Sequence, residues 1–166
     1  MILTSDNVQE NLNKIREIFD NHNKVLGIGN LLSKNNVEYY LNIDNKKIAE
    51  LSTHQCIEAA VILSRYSIFL QQQYNRLSTV IQFCNNEMHR IVSEAIINEF
   101  DQYTPYKYRR LVAIQKNPIA QEYYNIIKTL KIKLGNIFGL KEKIEELSIK
   151  FEKLAYFKKY NEDGDK

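Results

Sequence analysis

Residues 52–100, STHQCIEAAVILSRYSIFLQQQYNRLSTVIQFCNNEMHRIVSEAIINEF, contain neither Gly nor Pro. A run this long without turn residues cannot be a set of strands and hairpins, so it reads as helix. Ser52 or Thr53 can cap its start. Ile57, Ala60, Val61, Ser64 and Ile68, then Tyr74, Leu77, Ile81, Cys84, Met88, Ile91, Ala95 and Phe100, trace an apolar stripe at helical spacing. Straight, such a helix is about 70 Å long, whereas a compact domain of this size is roughly 30–35 Å across. It must therefore break, near Gln71-Gln72-Gln73 or Asn85-Asn86, or project and pack against partner helices.

On its C-terminal side, Pro105 interrupts the pattern, a short helix is expected over Tyr106–Gln115, and Asn117-Pro118 marks the next boundary. Pro suits the first helical position under an Asn cap. A last long helix is expected over 118–160. Its stripe is Ile119, Tyr123, Ile126, Ile127, Leu130, Leu134, Ile137 and Phe138, continued by Leu140, Ile144, Leu147, Phe151, Leu154 and Tyr156 or Phe157. Gly135 and Gly139 stand four apart and suggest a bend or a close helix contact. Asn161–Lys166 is expected to be an acidic, disordered tail.

On the N-terminal side, Val8, Leu12, Ile15, Ile18 and Phe19 support a helix over 5–22, ended by His22 and Asn23. Residues 25–42 hold Gly27, Gly29 and several Asn, and a short β element is conceivable there, including Val37–Leu41. Gly27-Ile28-Gly29 lacks the remaining residues of a phosphate loop. The expected fold is all-α, with long helices packed as a helical hairpin or bundle. In chain order it comprises residues 1–50, a helix plus an irregular segment; 51–160, the long-helix domain; and the tail 161–166.

Composition narrows the function. The 166 residues include five Gly and two Pro, and 44% are apolar. No apolar run approaches the roughly 20 residues of a membrane span, and no signal peptide is expected at Met1–Asp6. Cys56 and Cys84 are expected as reduced, buried thiols of a cytoplasmic protein. His22, His54 and His89 form no HExxH pair, neither cysteine has a CxxC partner, and Glu142, Glu145 and Glu146 alternate with lysines as on a solvated helix face. We expect no catalytic residues, metal or cofactor, and hence no enzyme.

The charge is uneven. Residues 1–51 sum to −1, 52–102 to −2 and 103–166 to +6. At the boundary stands Tyr103-Thr104-Pro105-Tyr106-Lys107-Tyr108-Arg109-Arg110, three tyrosines and three cations in eight residues. Cations neutralise phosphates and aromatic rings stack on unpaired bases. Arg adds bidentate phosphate contacts. Lys116, Lys128 and Lys131 extend the charge, the last two on one helix face. Single-stranded DNA or RNA is the expected partner, bound without base choice. The alternatives are a merely solvated, lysine-rich helix face, or a basic cluster that meets an acidic protein surface.

The order of elements carries a resemblance. A helix with Ala59-Ala60-Val61-Ile62-Leu63-Ser64-Arg65-Tyr66-Ser67-Ile68-Phe69-Leu70 leads to a tyrosine-bearing connector, then to Leu111-Val112-Ala113-Ile114-Gln115-Lys116-Asn117. A final helix with Tyr123-Tyr124, Leu130, Leu134 and Phe138 follows. Over about 52–158 this resembles the phage UvsY-type recombination mediators. The resemblance implies a helical homo-oligomer that binds single-stranded DNA and helps load a recombinase past a single-strand-binding protein, in the host cytoplasm. Arg90 is the positional match to that family's cations before the connector; here the charge has moved to Lys107, Arg109 and Arg110. The alternative is a phage structural or adaptor protein of the virion, acting through helix-mediated contacts.

Overall fold

The computed structural model of the protein describes residues 5–25, 34–98 and 103–164. The fold is all-α. Its helices are α1 (Ser5–Val25), α2 (Lys34–Leu41), α3 (Asn45–Glu50), α4 (Thr53–Asn98), α5 (Tyr106–Lys116) and α6 (Pro118–Gly164), and no strand occurs among the described residues. The extended element conceived for Val37–Leu41 is thus helical. Val37 and Tyr40 lie one helical turn apart and are both buried, a spacing that suits a helix and would point to opposite faces of a strand. Residues 26–33 lie outside the described residues.

Helix boundaries follow from local chemistry. At the start of α4, Ser52 Oγ accepts from the Gln55 N–H at 3.2 Å, and Gln55 Oε1 accepts from the Ser52 N–H at 2.8 Å. This reciprocal box satisfies two backbone donors that the first turn leaves open. At the start of α6, Asn117 Oδ1 accepts from the N–H groups of Ile119 and Ala120, both at 3.0 Å. Pro118 occupies the first helical position, where its missing N–H costs nothing. Tyr108 and Arg109 donate their N–H groups to the Pro105 carbonyl, opening α5.

Helix α4 is continuous through both Gln71–Gln73 and Asn85-Asn86. Helix α1 runs beyond His22 to Val25, and α6 continues through Asn161–Gly164; Asp165 and Lys166 lie outside the described residues. Helix α6 also runs through Gly135 and Gly139, where a Cβ would meet nothing within 4 Å. The close contact expected at these glycines is therefore absent.

Contacts divide the chain into two compact units, Met1–His22 with Asn75–Gly135, and Asn23–Tyr74 with Asn136–Lys166. Helices α4 and α6 contribute to both, and they pack against each other within each. The first unit buries Val8 and Leu12 of α1 with Ile81, Cys84, Met88 and Val92 of α4, Ile114 of α5 and Tyr123 of α6. The second buries Val37 and Tyr40 of α2 with Cys56, Ala59 and Leu63 of α4 and Ile144 and Phe151 of α6. The Tyr40 and Phe151 rings meet edge to face at 5.9 Å.

The second unit corrects the stripe read for the first half of α4. Ile57, Val61, Ser64 and Ile68 face solvent, and only Ala60 of that set is buried. The buried face is Cys56, Ala59, Ala60, Leu63, Ser67 and Leu70. This segment is apolar on two neighbouring faces, and polar contacts favour the second. Ser67 Oγ donates to Glu145 Oε1 at 2.7 Å, and Ser148 Oγ donates to the Ala60 carbonyl at 2.9 Å. Buried hydroxyls need such partners. The Ser67 hydroxyl, and then the Lys141 ammonium, hold the Glu145 carboxyl below its usual range. In α6, Leu140, Tyr156 and Phe157 are likewise exposed, while Ala155 is buried.

Candidate nucleic-acid interface

The sequence-predicted site residues all fall in the first compact unit, on α4, on α5 with the turn before it, and on the first half of α6. Tyr103 precedes α5 and is 83% exposed. Helix α5 turns about 100° per residue, so its cluster cannot present one face. Tyr106, Lys107 and Arg110 fall together, one turn apart, and line a cleft of about 240 Å³ with Leu111, Ile114 and Tyr124. Tyr108 is 59% exposed but does not line that cleft. Arg109 is half-buried, and its Nε is enclosed without a hydrogen-bond partner among the described residues.

The cleft has an apolar floor and a charged aromatic rim. Ile114 belongs to the hydrophobic core, so the floor is rigidly held. Tyr106 is fixed from below: its hydroxyl is hydrogen-bonded to His89 Nε2 on α4 at 3.2 Å. The ring is still half exposed. Tyr124 of α6 also lines the cleft. Lys128 and Lys131 follow it at i+4 and i+7, which places all three on one flank of α6. All three are exposed.

Electrostatics separate these cations from others. Lys107, Arg110, Lys128 and Lys131 have no ion pair or side-chain hydrogen bond with the described residues. Arg90 differs. Its Nε and Nη2 donate to Glu87 Oε2 at 3.2 and 2.8 Å, and it stands apart from the cleft lining. Glu87 holds the Arg90 guanidinium above its ordinary pKa, first through that hydrogen bond and then through its charge. Lys116 lies in the last turn of α5 and is exposed. Residues 103–135 carry seven cations against Glu122 alone, so α5 and the first half of α6 are strongly net positive.

Tyr124 and His89 are candidate-site positions that sequence reading did not assign. Tyr124 was visible as the start of the Tyr124–Lys128–Lys131 face. The His89 contact joins residues 17 apart on different helices, and no local pattern marks it. Cys56 and Cys84 are buried free thiols, and burial pushes the Cys84 thiol up to about 11. Burial also pushes the Tyr123 phenol up, with Glu87 adding to the effect. Among the described residues, no group of three or more His, Cys, Asp or Glu side chains could hold a metal ion, and no helix is long and apolar enough to cross a membrane.

Comparison with protein-family models, with curated proteins and with solved structures finds no match. The site's geometry therefore carries the functional argument.

Proposed function

We propose that this chain is a helical accessory protein that binds single-stranded DNA or RNA as a homo-oligomer and, in the manner of a recombination mediator, helps load a recombinase on single-stranded DNA. One observation carries the reading. Two exposed tyrosines, Tyr106 and Tyr124, share a cleft with two cations, Lys107 and Arg110, that no described carboxylate neutralises. Stacked rings hold bases without sequence choice, and free cations hold phosphates. Fluorescence anisotropy with labelled single-stranded DNA over a salt series tests it. Affinity falls steeply with salt if the reading is right. Affinity that survives Lys107→Gln with Arg110→Gln sinks the site.

A second reading, a structural or adaptor protein of a virion, is favoured by the second unit. Ile57, Val61 and Ile68 are 49%, 42% and 57% exposed. Ile57 and Val61 line an apolar groove of about 280 Å³ with Ala60, Ala155 and Tyr156. Light scattering that finds a stable assembly, together with no nucleic-acid binding at low salt, selects this reading.

A further inference from the structure

A second cleft of the first unit shares no lining residue with the tyrosine cleft. It measures about 510 Å³, and its lining includes Arg16 of α1 and Glu122, Asn125, Ile126, Leu130 and Lys133 of α6, two cations against one carboxylate. Arg16 and Lys133 are distant in sequence and carry no ion pair or side-chain hydrogen bond with the described residues. The Asn125 side-chain amide is exposed, while Thr129 Oγ1 donates to the Asn125 backbone carbonyl at 3.1 Å. Ile126 and Leu130 pack on the core and form an apolar floor. Like the first cleft it sets two cations over apolar surface; unlike it, it has no aromatic ring and includes one carboxylate, Glu122.

The two clefts flank the same helix. At 100° per residue, Tyr124, Lys128 and Lys131 lie on one side of α6, and Ile126 and Lys133 on the other. Between Lys128 and the second flank lie Gln121 and Asn125, both exposed, which also line the second cleft. This outward face is polar, with Lys128 at one margin and Glu122 at the other. A helix with its side chains is about 10–12 Å across, so one extended strand can reach both flanks.

We propose that single-stranded nucleic acid occupying the Tyr106–Lys107–Arg110–Tyr124 cleft crosses the outer face of α6 and is held a second time in the Arg16–Lys133 cleft. The inference rests on the nucleic-acid reading and adds a path and a second contact site. Arg16 and Lys133 contact phosphates there, and the Asn125 amide meets a base edge or sugar.

The experiment uses the full chain and labelled oligothymidylates of about 4 and about 16 nucleotides, spanning the usual range of single-strand site sizes. The expected result for Arg16→Gln with Lys133→Gln is a roughly ten-fold loss for the long oligomer and no change for the short one. The salt slope for the long oligomer falls by about 1.4, two phosphate contacts at about 0.7 each. Lys107→Gln with Arg110→Gln weakens both lengths. Circular dichroism and thermal melting confirm that each variant folds. Equal affinity of the Arg16/Lys133 variant and wild type for the long oligomer overturns the path and leaves the first site standing. Equal weakening at both lengths by this variant also overturns it, because it marks a general field effect. No binding by wild type at low salt defeats the underlying reading as well.

Discussion

Tyr106 on α5 and His89 on α4 meet through a hydrogen bond of 3.2 Å between the phenol oxygen and Nε2. The bond anchors the ring's polar end and leaves its face beside Lys107 and Arg110. Ring and hydroxyl therefore have separable roles. Tyr106→Phe keeps the stacking face, and single-strand affinity is expected to stay within about two-fold of wild type. Tyr106→Ala removes it and is expected to cost about 1–3 kcal/mol of binding free energy. Anisotropy titrations of the two variants check this; equal losses in both would show that the hydroxyl, not the ring, matters.

The Asn117 cap accepts from two backbone donors of the first turn of α6. Asn117→Ala leaves those donors without a side-chain partner. The expected loss is about 1 kcal/mol, as for other caps. Urea midpoints of variant and wild type measure it.

Gly135 and Gly139 sit inside α6 with open space where a Cβ would stand. Alanine in a helix interior is favoured over glycine by about 0.8–1.0 kcal/mol. Gly135→Ala and Gly139→Ala are each expected to raise the melting temperature. A fall at either site would reveal a contact that the open space does not suggest.

Ile68 is more than half exposed on the face that holds Ile57 and Val61. A single exposed substitution shifts fold stability by about 0.5 kcal/mol or less. Ile68→Glu is thus expected to leave the fold intact and to lower the assembled mass seen by light scattering, if this face joins copies of the chain. An unchanged mass would exclude the face from the oligomer contact.

Cys84 is fully buried, and burial moves its pKa from 9.0 to about 11. Above pH 9.0 the unfolded chain has lost a thiol proton that the folded chain still holds. Proton binding is then greater in the native state, so stability falls as pH rises from 9.0 toward about 11 and is unaffected by this group below that window. Urea midpoints on both sides of the window, in wild type and Cys84→Ala, isolate the thiol's share. An identical pH slope in the two proteins would refute it.

Much of the fold was legible in particular residues. The Gly- and Pro-free run from Ser52, the Ser52 or Thr53 cap and the Asn117-Pro118 step each predict helix boundaries within a few positions, because capping is chemistry between neighbours. The face of α4 was less legible. Ile57, Val61 and Ile68 are as apolar as Ala59, Leu63 and Leu70, and periodicity alone cannot rank two adjacent apolar faces. The candidate site was half legible: Lys107 and Arg110 were identified, but their cluster-mates Tyr108 and Arg109 turn away from the cleft, and Tyr124 enters it from another helix.

By itself the sequence determined the long helices, the caps at Ser52 and Asn117 and the basic, tyrosine-rich character of 103–133, since these depend on groups within a turn or two of one another. Tertiary structure decided which face of α4 is buried, how α4 and α6 serve two cores, and which cations share a cleft. Those outcomes depend on partners far away in the chain: Glu145 for Ser67, the Ala60 carbonyl for Ser148, His89 for Tyr106. A buried hydroxyl or an anchored ring is satisfied only when such a partner arrives, and packing, not local spacing, brings it there.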